Sequence, residues 1–203
     1  PFKCSLEFVP NFIEEIEGIS TCNDKNEVPV VSYISSFIEG KGYNEILDFA
    51  LWCDRNRIKL RFDFYGRFYS EKIRNEVLSR IEVLQNVSYL GVLTSRDEVY
   101  EVLSNTDLFM LLTKYKLEAV PRSILEALHL GVPVISTYHA GIPGIFGELG
   151  SNYLIKNTTD HIEIYEKIKS LLETPKSEME VMSKKVFKNY SMGYKNKLIN
   201  IFN

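Results

Sequence analysis

Residues 118–136 read EAVPRSILEALHLGVPVIS, and the change of period inside this stretch decides the fold. Pro121 suits a first helical position, because it lacks an N–H that would be unpaired there anyway, and Gly131 with Pro133 stops the helix. A helix over 121–130 is expected, and VPVIST, residues 132–137, reads as a strand. At about 3.6 residues per turn Ile124, Leu125 and Leu128 share a buried face, while Arg122, Glu126 and His129 share another. A helix that only buries one face has no use for a carboxylate among Ile124, Leu125, Ala127 and Leu128, so Glu126 asks for a function.

The same alternation runs through the chain. Upstream, VPVVSYIS (28–35) and IKLRFDFYG (58–66) read as strands, with helices over 43–56 and 70–84. NVSYLG (86–91) leads to a helix opened by a capping box of Ser95 and Glu98, and DLFMLL (107–112) is the fourth strand. Downstream come a short helix near 142–149, the strand NYLI (152–155), a helix over 159–173 and further helix from 176 to 203. These units predict an α/β protein, a doubly wound, Rossmann-like parallel sheet in the order 3-2-1-4-5-6 with helices on both faces. The chain divides into a leading segment 1–27, a sheet domain 28–175 and a helical tail 176–203.

A chain of 203 residues, 45% hydrophobic and 12% aromatic, buries a substantial core, which excludes a disordered or fibrous protein. A net charge of −3, from 24 basic and 27 acidic residues, argues against a general nucleic-acid binder. Cys4, Cys22 and Cys53 are odd in number and lack CxxC spacing. Neither a disulfide framework nor a zinc site is expected from them, and a reducing, cytoplasmic compartment is. No apolar run approaches the roughly 20 residues of a membrane helix, and no signal peptide is read. The opening PFKCSLEFVPNF has no initiating methionine and is expected to be cut from a longer protein.

In a doubly wound sheet ligands bind where the strand order reverses, here between strands one and four. The loop after strand one, SSFIEGKGY (35–43), carries Lys41, and the loop after strand four, TKYKLEAVP (113–121), carries Glu118. Free N–H groups near 119–123, at the positive end of the helix dipole, suit a phosphate. Glu126, one turn inside the helix, suits paired hydroxyls such as a ribose diol, and Glu118 suits those of another polyol.

The segment EAVPRSILEALHLGVPVISTYHAGIPG (118–144) resembles the signature of the retaining glycosyltransferases of family 4, with its Glu, seven residues, Glu-Ala and then Gly-x-Pro-Val-Ile. VSYISSFIEGKGYNEILDFA (31–50) is similar to that family's first strand and Lys-Gly loop, and FDFYGR (62–67) to its strand ending in glycine. NVSYLGVLTSRDEVYEVLSNTDLFMLLT (86–113) resembles its third and fourth units, and LEFVPNFIEE (6–15) the hinge between its two domains. The resemblance covers essentially the whole chain and implies the C-terminal, nucleotide-sugar-binding half of a two-domain GT-B enzyme.

The resemblance also implies roles. Glu126 would hold the ribose hydroxyls of the donor, and Glu118 the hydroxyls of its sugar. Ala119, Val120 and Pro121 would bring their backbone to the diphosphate and sugar, with Arg122 next to them, while Lys41 would neutralise the diphosphate. Glu118 and Lys41 are thus the catalytic candidates. Ser36, Gly66 and Arg67 join the donor-binding set, and Tyr89, Leu90 and Gly91 would border the base. In this family no metal and no cofactor beyond the nucleotide-sugar is implied. Transfer retains the anomeric configuration through stabilisation of the departing diphosphate, and no protein nucleophile is nominated. The implied acceptor is a glycan or a lipid-linked glycan, in envelope or capsular polysaccharide synthesis at the inner face of the membrane. The chain on its own, without the N-terminal domain, is expected not to transfer.

Two departures stand out. Ser36 occupies a place where the family usually has arginine, for which Arg67 is a candidate substitute, and Gly144 one where it often has glutamate. They keep two further readings open, a noncatalytic GT-B-like binding module and a GT-B sugar-nucleotide epimerase. Some residues have plainer readings. Arg122 has an i,i+4 partner in Glu126, His129 reads as structural, and His139 lies near the crevice. Trp52 and FDFYGRFY (62–69) read as core and rim. KSEMEVMSKKVFKNY (176–190) reads as a solvated amphipathic helix, with contact to an anionic membrane as the second reading of its lysines.

Overall fold

The computed structural model describes residues 11, 13 and 26–202, with side chains as far as 193. Cys4, Cys22 and most of the hinge-like segment lie outside the described residues. The sheet has six strands in the order β3-β2-β1-β4-β5-β6, as the alternation predicts. Here β1 is Val30–Ile34, β2 Arg61–Tyr65, β3 Val87–Tyr89, β4 Leu108–Leu111, β5 Val134–Thr137 and β6 Leu154–Ile155. Every neighbouring pair is parallel. The strands are shorter than their apolar runs. The Ile58 amide still closes the end of the preceding helix by donating to the Cys53 carbonyl, and the first bond to the neighbouring strand's segment comes from the Arg61 amide to the Pro29 carbonyl, so β2 opens only at Arg61.

The helices are α1 Tyr43–Arg55, α2 Glu71–Ile81, α3 Arg96–Ser104, α4 Arg122–His129, α5 Ile142–Phe146, α6 Gly150–Tyr153, α7 His161–Glu173 and α8 Lys176–Phe202. The helix expected over 142–149 is broken, because Gly147, at φ 54°, ends α5 and a 3₁₀ turn leads into α6. The capping box forms at α3: the Ser95 hydroxyl accepts from the Glu98 amide and the Glu98 carboxylate from the Ser95 amide.

At α4 the start differs from the expectation. Pro121 is the residue before the helix, extended at ψ 124°, and the first helical residue is Arg122. The chain enters from a turn whose Ala119 and Val120 carbonyls accept from the Gly141 amide and the Asn11 side chain, which holds Pro121 short of helical ψ. The far end closes as read. Gly131, at φ 82°, donates to the Leu128 carbonyl and Val132 to that of Ala127, the two bonds of a Schellman motif.

Helix α8 packs on α4 and α5. Met179, Val186 and Phe187 are buried in the core, and the His129 ring lies 4.7 Å from that of Phe187. The segment read as a solvated tail therefore buries one face, and His129 has the structural place expected of it. Among the described residues no helix is long and apolar enough to cross a membrane. Trp52 packs beside Phe49, His161 and Tyr165.

The loop after β1 rests on an aromatic cluster. Phe37 is fully buried, with Tyr33, Tyr43, Phe64, Phe68 and Tyr89 at centroid distances of 4.5–6.2 Å. Residues 62–69 are thus core and rim, with Tyr69 76% exposed. Beside the cluster Gly66 adopts φ 149°, and a Cβ there would lie 1.9 Å from the Ser35 carbonyl oxygen. Gly66→Ala is expected to cost at least the about 1–3 kcal/mol of a strained backbone position. At about 2–4 °C per kcal/mol for a domain of this size, thermal unfolding will register it as a fall of several degrees.

Candidate functional site

The strand order reverses between β1 and β4, and the loops leaving these two strands are joined backbone to backbone. The Lys114 amide donates to the Gly40 carbonyl at 2.7 Å, and the Thr113 hydroxyl donates to the same oxygen at 3.3 Å. Gly40 and Gly42 both have positive φ, 87° and 84°, and Lys41 is displayed between them. Its ammonium meets the Glu118 carboxylate at 2.7 Å, and only 16% and 8% of the two side chains remain exposed. The same nitrogen lies 4.8 Å from the centroid of the Tyr115 ring. A buried pair of this kind is costly to split, since removing one partner leaves the other charge desolvated and alone.

The Glu118 loop is held from several sides. The Glu118 amide donates to the Tyr115 carbonyl at 3.0 Å, and the Tyr115 amide to the Thr113 hydroxyl at 3.2 Å. The Thr137 hydroxyl binds the Thr113 carbonyl, and the Lys114 ammonium binds the Thr158 hydroxyl at 2.8 Å. From the loop after β5, the Gly141 amide reaches the Ala119 carbonyl at 2.9 Å and His139 Nε2 the Tyr115 carbonyl at 2.8 Å. Pro121 offers no side-chain cap, and among the described residues no side chain accepts from the first-turn amides of α4.

One turn into α4, Glu126 is 9% exposed. Its carboxylate has no hydrogen bond among the described residues, and the i,i+4 ion pair with Arg122 does not close. Burial raises its pKa, while the charges of Arg122 and of Arg96 on α3 act in the opposite direction. A largely buried carboxylate without a donor among the described residues, its oxygens still open to solvent, fits a ligand that brings hydroxyls.

A second pocket opens beside these loops, between the ends of β1 and β2 and the start of α3. Ser36, Gly66 and Arg67 line it together, with Val92, Leu93 and Val99 opposite. The Gly66 amide donates to the Gly91 carbonyl at 2.9 Å, and the Tyr89 hydroxyl to the Gly66 carbonyl at 3.0 Å. Tyr89 thus spends its hydroxyl and, against Phe68, its ring on structure, whereas Leu90 is 52% exposed. Arg67 is exposed and has no carboxylate partner among the described residues. A more enclosed apolar cavity lies elsewhere, among Pro29, Leu103, Val132 and Met179, and shares no residue with these loops.

The sequence-predicted residues fall into two adjoining groups. Lys41, Glu118, Ala119, Val120, Pro121, Arg122 and Glu126 belong to the two loops and α4, and Ser36, Gly66 and Arg67 to the second pocket, while Tyr89 and Gly91 reach that pocket only through their hydrogen bonds to Gly66, and Leu90 does not line it. Gly144 is exposed, with open space where a side chain would stand. Sequence reasoning missed Tyr115 and Arg96. Tyr115 sits in a lysine-rich loop stretch with no period to mark it, and Arg96 reads as an ordinary first-turn residue.

The Glu126 pKa, raised from its ordinary 4.5, means that the folded chain binds this proton more tightly than the unfolded chain does. The associated stability is full below about pH 4.5 and is lost as pH rises through the folded pKa. Glu126→Gln is therefore expected to raise Tm at pH 7, with the difference from the parent shrinking toward pH 4. A difference independent of pH would mean that ionisation of Glu126 does not burden the fold.

The family model described as Glycosyl transferases group 1 matches residues 17–188. The putative colanic acid biosynthesis glycosyltransferase WcaL of Salmonella typhimurium is 24% identical over 126 residues, 60% of this chain and 31% of the relative. WcaL of Escherichia coli matches to the same extent. The matched stretch is thus about a third of these relatives' length. Among solved structures, a mutant of S. aureus TarM in complex with Fondaparinux, alpha-GlcNAc-glycerol and UDP superposes with a TM-score of 0.74 at 21% identity, covering 100% of this chain and 40% of TarM. Anabaena HepE in complex with UDP and glucose gives 0.67 at 17%, covering 85% and 47%. At these identities the likeness is one of fold, and the fold is the C-terminal half of a GT-B glycosyltransferase.

Proposed function

The chain belongs to the group 1 glycosyl transferases, and on that premise we propose that it is the nucleotide-sugar-binding domain of a retaining enzyme. That enzyme passes a sugar from a nucleoside-diphosphate donor to a glycan or lipid-linked acceptor, in envelope or capsular polysaccharide synthesis. The observation that carries this reading is Glu126, a buried side chain whose carboxylate has no hydrogen-bond donor among the described residues, one turn below the uncapped start of α4.

In this reading the ribose diol donates to Glu126, and the diphosphate lies between the α4 amides and Lys41. Ala119, Val120 and Pro121 face it with their backbone, and Arg122 adds charge at the helix start. The Lys41–Glu118 pair is the resting arrangement. The diphosphate takes Lys41, and Glu118, released from the ammonium, accepts from the sugar hydroxyls. The bond that breaks joins the anomeric carbon to the diphosphate oxygen, and Lys41 stabilises the charge that collects on that oxygen. Arg67, in the pocket with Ser36, supplies a second positive charge on this side, and Tyr89, Leu90 and Gly91 border the base. The donor is the one cofactor-like molecule required, with no metal. The acceptor half is a further domain that closes over the crevice and excludes water, and the enzyme works in the cytoplasm at the inner membrane face.

UDP is the first nucleotide to test, since TarM and HepE were each solved with it. By calorimetry Glu126→Ala is expected to weaken UDP binding by about 1.5–3 kcal/mol, the worth of hydrogen bonds to a charged group. Equal affinities in two folded proteins would end the ribose assignment. Glu118→Ala in the complete enzyme is expected to depress transfer without weakening UDP binding. Epimer formation, or binding without turnover, by the complete parent enzyme would select one of the rival readings instead. The 203-residue chain alone is expected to bind the donor and transfer nothing. Transfer by that chain at the rate of the complete enzyme would require an acceptor site within it.

A further inference from the structure

Both charges at the crevice depend on Tyr115. Its ring lies under the Lys41 ammonium at 4.8 Å, and its carbonyl accepts the Glu118 amide at 3.0 Å, closing the turn that aims the Glu118 side chain. The same carbonyl takes a second bond, from His139 Nε2 at 2.8 Å. A carbonyl oxygen only accepts, so Nε2 carries the proton, and the two bonds fill both lone pairs. His139 is half-buried and comes from a different strand, on the loop after β5.

That loop is held in an unusual shape to bring the imidazole there. Ala140 has φ 49°, a left-handed conformation that costs a residue with a Cβ on the order of 1 kcal/mol or more. Gly141 follows, its amide on the Ala119 carbonyl, and a Cβ at this glycine would lie 2.7 Å from Val120 Cγ2. The β5 loop thus grips the Glu118 turn at Tyr115 and again at Ala119. Strain at Ala140 persists because these bonds overdetermine it. Of the two grips only the one at Tyr115 uses a side chain, whereas the one at Ala119 needs the absence of a side chain at Gly141.

We propose that His139 is a positioning residue of the donor site, which through the Tyr115 carbonyl fixes the aim of Glu118 and the seat of Lys41. Its importance to donor binding rests on the functional reading above, whereas its hold on the turn does not. His139→Phe keeps an aromatic ring and removes the donor N–H. His139→Gln restores an N–H near the place of Nε2.

The test uses the 203-residue chain. Amide hydrogen exchange is followed in residues 113–119 without ligand, and UMP and UDP are titrated by calorimetry. His139→Phe is expected to speed exchange in 113–119 by tenfold or more while α4 exchanges as in the parent. It is also expected to leave UMP affinity unchanged and to reduce several-fold the advantage of UDP over UMP, because the added phosphate is the group that meets Lys41. His139→Gln is expected to recover most of both. Parent-like exchange and an unchanged UDP advantage in a folded His139→Phe protein overturn the proposal, as does a Gln variant no better than the Phe variant. If the parent binds neither nucleotide, the uridine reading of the site fails, and the exchange arm alone decides the hold of His139 on the turn.

Discussion

At Gly42 the loop from β1 runs so close to β4 that a Cβ would lie 2.4 Å from the carbonyl carbon and oxygen of Leu112. Only glycine permits this approach, and it also supplies the positive φ from which α1 starts directly at Tyr43. The contact fixes the two crevice loops in one register. Gly40 then accepts from Lys114, Lys41 is left pointing across the crevice, and the chain beyond Lys114 must turn back through Tyr115 to reach α4. The meeting of Lys41 with Glu118 follows from that path, 77 residues apart in sequence.

The two glutamates of the opening motif are treated in opposite ways. Glu118 has its charge matched by an ammonium at 2.7 Å, whereas Glu126 is buried with only the longer-range influence of Arg122 and Arg96. A fold selected for stability alone would place an amide or a leucine at 126, because packing does not reward an ionised group there. Sites that sacrifice stability in this way are where function is sought. The paired state of Glu118 has another consequence. In the proposed site a ligand that offers Lys41 an anion and Glu118 hydroxyl donors compensates both charges of the pair, and one that offers only an anion, as UDP does, compensates one. A nucleoside-diphosphate sugar offers both, and a free sugar or a free phosphate offers one.

Much of this architecture was legible in the sequence because it depends on local signals. The strand order followed from alternating periods, the α3 start from Ser95 and Glu98, and the end of α4 from Gly131 and Pro133. Glu126 was conspicuous because a carboxylate interrupted an apolar run. What escaped depends on contacts between distant segments. Pro121 carries a strong helix-start signal, yet its ψ is set by bonds to the Ala119 and Val120 carbonyls that come from Gly141 and Asn11. The Lys41–Glu118 pair and the His139 bond to Tyr115 join loops, which have no period to read. The 176–190 segment showed an amphipathic pattern, but nothing in that pattern says which element its apolar face will cover.

That last contact bears on the site itself. Helix α4 has 8 residues, too few to hold together by its own hydrogen bonds, since isolated helices shorter than about 12–15 residues are marginal in water. Its place comes from packing, from the sheet on one side and α8 on the other. At its C-terminal end Gly131 lies so close to α8 that a Cβ would stand 2.4 Å from Glu180 Cγ, and His129 rests on Phe187. A side chain at 131 would have to displace the Glu180 side chain and would press on its Cα, 3.3 Å from such a Cβ, at the end opposite the crevice. With a rise of about 1.5 Å per residue, α4 is only about 12 Å long, so the contacts at Gly131 and His129 lie within about two to three turns of the crevice end. The uncapped amides and Glu126 therefore sit on a helix that α8 helps to hold, so the segment that looks like an appendage in sequence supports the site from behind.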